Sequence, residues 1–204
     1  MDPVAETIAF YDAVARDYAL KWSNPDVMSE QVGCFLSHLE GQRILDIGCG
    51  PGRDALVFTN RGRRVVGIDL SKNFLAIAQR AAPSAVFAKV DMRSLAFSSG
   101  SFDGVWACAS LLHLPKGEAL QALQESRRVL EPHGFLFASV KEGEGEGWEE
   151  REEGKVFYSY YQEEEIRKWI EEAGFSIIRL SRSLGHTSFF DVFARAEKNA
   201  IINR

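Results

Sequence analysis

The chain has 204 residues, 24 of them Lys or Arg and 29 Asp or Glu, for a net charge of -5. Apolar residues make up 46%, enough for one domain with a sizeable core, and wholesale disorder is excluded. The acidic balance also excludes a uniformly basic nucleic-acid surface, and the Arg61, Arg63, Arg64 cluster reads as a solvated loop before a strand.

In chain order, the N-terminal 40 residues read as two helices, about 4–20 and 27–39, that lie outside the core as a cover. Arg43 to Ile47 is a short apolar run that stops at Gly48 and reads as a buried strand. A helix follows over 53–61, then a strand over 64–68 ending at Asp69. Ser71 is the expected N-cap of a helix over 72–81, which Pro83 follows. Strands are predicted at 85–90 and 102–108, and an amphipathic helix at 116–130. The Pro132-His133-Gly134 turn leads to a fifth strand over 135–140. This alternation calls for a parallel sheet with helices on both faces. Residues 141–153 hold seven glutamates against Lys141 and Arg151 and read as a mobile acidic loop. A helix over 162–173 ends at Gly174, an expected C-terminal cap. Strands over 175–182 and 188–195, joined by Leu184-Gly185-His186-Thr187, close the chain as an antiparallel hairpin.

The longest apolar stretch, Val105 to Leu112, is too short to cross a bilayer, and the start shows no secretory signal. Cys34, Cys49 and Cys108 are widely spaced, which argues against a disulfide framework or a Cys-based zinc site and fits a reducing cytoplasm. Cys49 and Cys108 read as small buried fillers. No H-E-x-x-H, Walker A or G-x-S-x-G motif occurs, and no metal site is expected.

The informative stretch is Ile44-Leu45-Asp46-Ile47-Gly48-Cys49-Gly50-Pro51-Gly52-Arg53-Asp54. A buried strand opens into a glycine-rich turn, and the turn opens a helix. Glycines leave room for a ligand to lie on the backbone, and amides at the helix start can meet its oxygens. Asp69 closes the next strand, 21 residues after Gly48, where a carboxylate can bind both hydroxyls of a ribose. A dinucleotide fingerprint would require its third glycine at the position of Arg53. Asp46 suits a cationic amino-acid head better than a pyrophosphate, which it would repel.

These residues resemble the class I S-adenosylmethionine-dependent methyltransferases over nearly the whole chain. Asp46 to Gly52 is similar to that family's first motif, near the methionine part of the cofactor. By this resemblance Asp69 holds the ribose, Asp91 approaches the adenine amino group and Met92 packs on the ring. Phe102 to Ala107 resembles the fourth-strand motif, whose end faces the sulfonium. Arg128-Val129-Leu130 with Pro132-His133-Gly134 resembles the entry to the fifth strand, and the closing hairpin the sixth and seventh strands. The resemblance implies a Rossmann-like, mostly parallel seven-stranded α/β sheet. It places Tyr18, Asp46, Gly48, Cys49, Gly50, Gly52, Asp69, Leu70, Asp91, Met92 and Ala107 at the cofactor. The implied reaction is in-line attack of a nucleophile on the sulfonium methyl, with S-adenosylhomocysteine as product.

On the acceptor side, His113 follows the fourth strand and is a candidate proton acceptor, or else a loop-binding histidine. Tyr11 and Tyr18 stand seven apart, on one face of the first helix. Tyr18 is assigned to the cofactor and Tyr11, with His113, to catalysis. Tyr158 and Tyr160 are candidates to line the acceptor pocket, and Lys141 or Arg151 to bind an acidic acceptor. The expectation is one methyltransferase domain over 1–204: a helical cover (1–40), a cofactor core (41–140) and a terminal part (141–204). The expected acceptor is a small molecule using an O, N or C atom, with no membrane partner. The rivals are a tRNA methyltransferase, an NAD-dependent oxidoreductase and a non-catalytic S-adenosylmethionine-binding protein.

Overall fold

The computed structural model of the protein describes residues 2–183 and 187–197. Helix α1 (Pro3–Lys21) starts where the Asp2 carboxylate caps Val4 N–H. A 3-10 turn over Pro25–Met28 leads to α2 (Ser29–His38). Then come β1 (Arg43–Ile47), α3 (Arg53–Asn60), β2 (Arg64–Asp69), α4 (Lys72–Ala81), β3 (Val86–Lys89) and β4 (Phe102–Cys108). The helix α5 (Lys116–Val129) precedes β5 (Leu130–Lys141). The chain continues with β6 (Glu146–Arg151), β7 (Gly154–Ser159), α6 (Glu163–Glu172), β8 (Phe175–Ser183) and β9 (Phe189–Ala196).

The main sheet has seven strands in the order β3-β2-β1-β4-β5-β9-β8. The first five are parallel, and β9 runs antiparallel to both β5 and β8. The expected α/β architecture and terminal antiparallel pair are therefore present. Leu184, Gly185 and His186 of the expected connection lie outside the described residues.

Strand alternation divides the core between two faces. Leu45, Ile47, Val105 and Leu136 pack beneath α5 and α6. Ile44, Trp106, Phe135 and Phe137 pack on the other face with Phe35 of α2 and Phe58 of α3. Trp106 stacks on Phe137 at 4.0 Å between ring centroids and meets Phe35 and Phe58 edge-on. The Trp106 indole N–H donates to Asp54 Oδ2 at 2.9 Å, so this large ring is buried without an orphaned donor.

The strand order reverses between β1 and β4. Ligands bind at such switch points, beyond the carboxyl ends of the strands. That edge is where the glycine turn after β1 and the segment after β4 meet.

Two expectations need correction. The fifth strand begins at Leu130 rather than 135, because Leu130 already pairs with Phe102 before the register shifts to Gly104–Phe135. Pro132-His133-Gly134 is thus an irregularity inside the strand, with His133 at φ 65°. The acidic segment is not a loop. Glu146–Arg151 pairs antiparallel with Gly154–Ser159 as a separate hairpin. Glutamate and glycine are poor strand formers, which hid β6; burial of Val156, Phe157 and Tyr158 on its partner holds it in place.

Candidate active site

Gly48 and Cys49 N–H both donate to Ile68 O, which ties the turn after β1 to the end of β2. Gly48 has φ 67°, and a Cβ there would lie 2.4 Å from Ser110 Cβ. Gly52 caps α3 at φ 86°, with Ala78 Cα of α4 only 2.9 Å from where a Cβ would stand. A Cβ at Gly50, which has φ 52°, would meet nothing within 4 Å. The outer glycines let elements approach, and the middle one borders open space.

Asp69 lies at this space. Its Oδ2 accepts from Gly50 N–H at 2.9 Å and its Oδ1 from Ser71 N–H at 2.8 Å. A carboxylate has about four acceptor positions, so roughly two stay available. Burial pushes the Asp69 carboxyl up, and the amides of Ser71, Gly50 and Leu70 pull it back. Asp46 is 2% exposed, and its Oδ2 has no hydrogen-bond partner. Burial drives its carboxyl well above the usual range; Asp54 adds to this and Arg53 opposes it. The Ser110 hydroxyl beside Gly48 is also buried and unpartnered. Two unsatisfied polar groups thus flank one turn.

Helix α1 covers this edge. The Asp12 carboxylate accepts from Ser71 Oγ–H and from Asn73 N–H, and Asp12 O accepts from Asn73 Nδ2. Tyr11 and Tyr18 both pack on Phe74 of α4. On the other side Phe157 N–H donates to Thr7 Oγ1, and Lys155 pairs with Glu6. Removing Asp12 takes away two hydrogen bonds to a charged acceptor. Asp12→Ala is expected to cost about 1–2 kcal/mol and to speed amide exchange in α1 first; unchanged exchange there would refute the clamp.

Beyond β4, the half-buried His113 stands between two partners. Its Nδ1 is 3.0 Å from Phe157 O and its Nε2 3.0 Å from Tyr11 OH. A carbonyl only accepts, so Nδ1 carries the proton and Nε2 accepts from the tyrosine. Burial holds His113 down from 6.5 to about 4. Tyr11 titrates well above its usual range because of burial, then Tyr158 and Tyr18. Nearby, Glu149 of β6 accepts from Lys141 Nζ at 2.8 Å, from Tyr160 OH and from Arg151 Nη2. Lys141 Nζ lies 3.3 Å from the Tyr158 ring centroid.

Residues 44–134 match the family model of a methyltransferase domain. An O-methyltransferase, resE, of Aspergillus sclerotiorum is 39% identical over 116 residues, which are 53% of this chain and 43% of that one. The matched region, 44–134, is thus similar to methyltransferase domains. The 1,6-didemethyltoxoflavin-N1-methyltransferase of Burkholderia thailandensis, solved with 1,6-didemethyltoxoflavin and S-adenosylhomocysteine, has the same fold. The TM-score is 0.78 at 22% identity, over 95% of this chain and 88% of that one. The magnesium protoporphyrin IX methyltransferase of Synechocystis PCC 6803, with S-adenosylhomocysteine, gives 0.78 at 19% identity, over 96% and 100% of the two chains. The chain spans about half the length of the curated relatives it matches.

The predicted site residues fall into two groups. Asp46, Gly48, Gly50, Gly52 and Asp69 converge on the turn after β1. Cys49 contributes backbone there, while its side chain is buried toward Gly67 and burial pushes its thiol up. Leu70 and Met92 pack against the core beneath α5 and α6, which also contains Ala107. Asp91 is already held by Arg93 through both oxygens; burial raises it, and those bonds outweigh burial to leave it low. Tyr11, His113, Tyr158, Tyr160, Lys141 and Arg151 form the second group. Lys141 and Arg151 do not stand free for an acidic acceptor, because Glu149 pairs with both. Asp12, Phe74 and Glu149 escaped the sequence reading. Each is one polar or aromatic residue among many, and only the packing of α1 and the β6–β7 hairpin singles it out. Among the described residues no helix is long and apolar enough to cross a membrane.

Proposed function

We propose that this protein is an S-adenosylmethionine-dependent methyltransferase acting on an O, N or C atom of a small molecule. The observation that carries the cofactor is the pair of buried, unpartnered polar atoms, Asp46 Oδ2 and Ser110 Oγ, beside the open space at Gly50. An ammonium group would satisfy Asp46 and draw its carboxyl back down. The free acceptor positions of Asp69 suit the two ribose hydroxyls. Leu70 and Met92 would border the adenine, with Asp91 near its amino group while Arg93 holds it. Ala107 would lie toward the reacting end, and Tyr18 would cover the cofactor from α1. When bound, the cofactor supplies a methyl group on a sulfonium, which a nucleophile takes by in-line displacement.

The chain's own contribution is alignment and exclusion of water, through the α1 cover. Both ring nitrogens of His113 are engaged, so it serves as a positioning residue that holds the Tyr11 hydroxyl. Lys141, Glu149, Arg151, Tyr158 and Tyr160 would shape the acceptor side as one hydrogen-bonded unit rather than as two free cations. The methyltransferase relatives and the glycine spacing favour this reading over a dinucleotide oxidoreductase. The three free cysteines support a reducing compartment such as the cytoplasm.

Calorimetry with S-adenosylhomocysteine and NAD tests the reading. Wild type should bind the former and not the latter. Asp69→Ala should weaken binding on the order of 100-fold, the loss of two hydrogen bonds to a charged group. Folded wild-type protein that does not bind S-adenosylhomocysteine refutes the assignment.

A further inference from the structure

Asp191 of β9 is 2% exposed. Its Oδ2 accepts from Gln31 Nε2 of α2 at 2.9 Å, and its Oδ1 has no partner. A buried carboxylate oxygen left unfilled is costly, and proteins rarely keep one without a use. Its place in the sheet is informative. Asp46, Trp106, Phe137 and Phe193 are in register across β1, β4, β5 and β9. Two residues further on, Cys108, Ser139 and Asp191 form the next row on the same face. One row beyond that, Lys141 pairs with Phe189, which packs with Tyr158 and Tyr160. Asp191 therefore lies between the Asp46 row and the tyrosine cluster. The shared row puts Asp191 near Cys108 at the end of β4, where its charge adds to burial, Asp54 and Asp46 in pushing that thiol up.

We infer that Asp191 is an acceptor-binding residue, whose free oxygen receives a hydrogen bond from a hydroxyl or N–H group of the methyl acceptor. This rests on the proposed methyltransferase reading. Gln31 is the positioning partner: by occupying Oδ2 it leaves Oδ1 for the ligand. The tyrosine cluster next to it suits an aromatic body, so the acceptor class is a small aromatic molecule that carries a hydrogen-bond donor.

The test uses protein saturated with S-adenosylhomocysteine and three probe pairs: phenol and anisole, catechol and veratrole, aniline and N,N-dimethylaniline. Each pair keeps the ring and removes the donor. Binding is measured by ligand-observed NMR. At least one donor-bearing probe should bind about tenfold tighter than its methylated counterpart, the effect of one hydrogen bond to a charged group. Asp191→Leu should abolish that preference without changing S-adenosylhomocysteine affinity, and Asp191→Asn, which keeps an acceptor oxygen, should restore part of it. No donor preference in wild type, or a preference that survives Asp191→Leu, overturns the inference. Loss of S-adenosylhomocysteine binding by wild type would instead overturn the methyltransferase reading.

Discussion

Alanine at Gly48 or Gly52 is expected to destabilise the protein by about 2–5 kcal/mol, and alanine at Gly50 by only about 1–2 kcal/mol. All three glycines have positive φ, so each substitution carries the left-handed penalty of about 1–2 kcal/mol. Gly48 and Gly52 add a second cost. A Cβ at Gly48 would stand 2.4 Å from Ser110 Cβ, and one at Gly52 2.9 Å from the Ala78 backbone. Either contact forces a shift of packed structure, worth about 1–3 kcal/mol. Gly50 has no such neighbour. Its methyl group would instead enter the space proposed for the cofactor. Gly50→Ala should therefore unfold closer to wild type in urea than the other two variants, yet lose at least tenfold in S-adenosylhomocysteine affinity, about 1.4 kcal/mol. If the three variants unfold alike, the division of labour within the turn is wrong.

Acid should weaken the protein through His113. The folded ring titrates near 4, against 6.5 ordinarily, because burial disfavours the charged form. Between these values the unfolded chain binds a proton that the folded ring does not. The contribution of His113 to stability is complete above pH 6.5 and is lost as pH falls toward 4, by about 3 kcal/mol. Other groups also titrate there, since Asp46 and Asp69 are raised while Asp91 and Glu149 are lowered. The comparison that isolates the histidine is wild type against His113→Asn. The stability advantage of wild type at pH 7 should shrink by about 2–3 kcal/mol at pH 4.5. A gap that does not change with pH would mean that the ring is charged or solvated. The neutral imidazole also predicts an activity profile with no limb near 6.5.

Much of this protein was readable before any coordinates. The five parallel strands and the three helices among them, the Ser71 cap, the Gly174 stop and the glycine turn each arise from local chemistry. Ser71 Oγ accepts from Phe74 N–H, and Gly174 takes φ 89°, as the residue types require. The pairing of Asp69 with the glycine turn, made at Gly50, was legible because a strand end and a glycine turn leave a spacing signature. The β6–β7 hairpin was not legible, since seven glutamates in 141–153 carry no apolar alternation. Its strand pairing is fixed by β7, whose Tyr158 and Phe157 are buried against partners far away in sequence, His113 and Thr7 among them.

The acceptor side divides along the same line. Tyr11, His113, Lys141, Arg151, Tyr158 and Tyr160 could be named as candidates from residue type and position. Their pairing could not. That Glu149 neutralises both cations, that Phe157 O sets the His113 tautomer, and that Asp191 keeps an unfilled oxygen are all long-range facts. The sequence alone determined the elements of the main sheet and its helices, the sheet's direction and the glycine turn with its carboxylates, because hydrophobic period, caps and turn residues act over a few positions. Only the tertiary structure decided which polar groups satisfy one another, because burial and hydrogen-bond partnership depend on elements brought together from opposite ends of the chain.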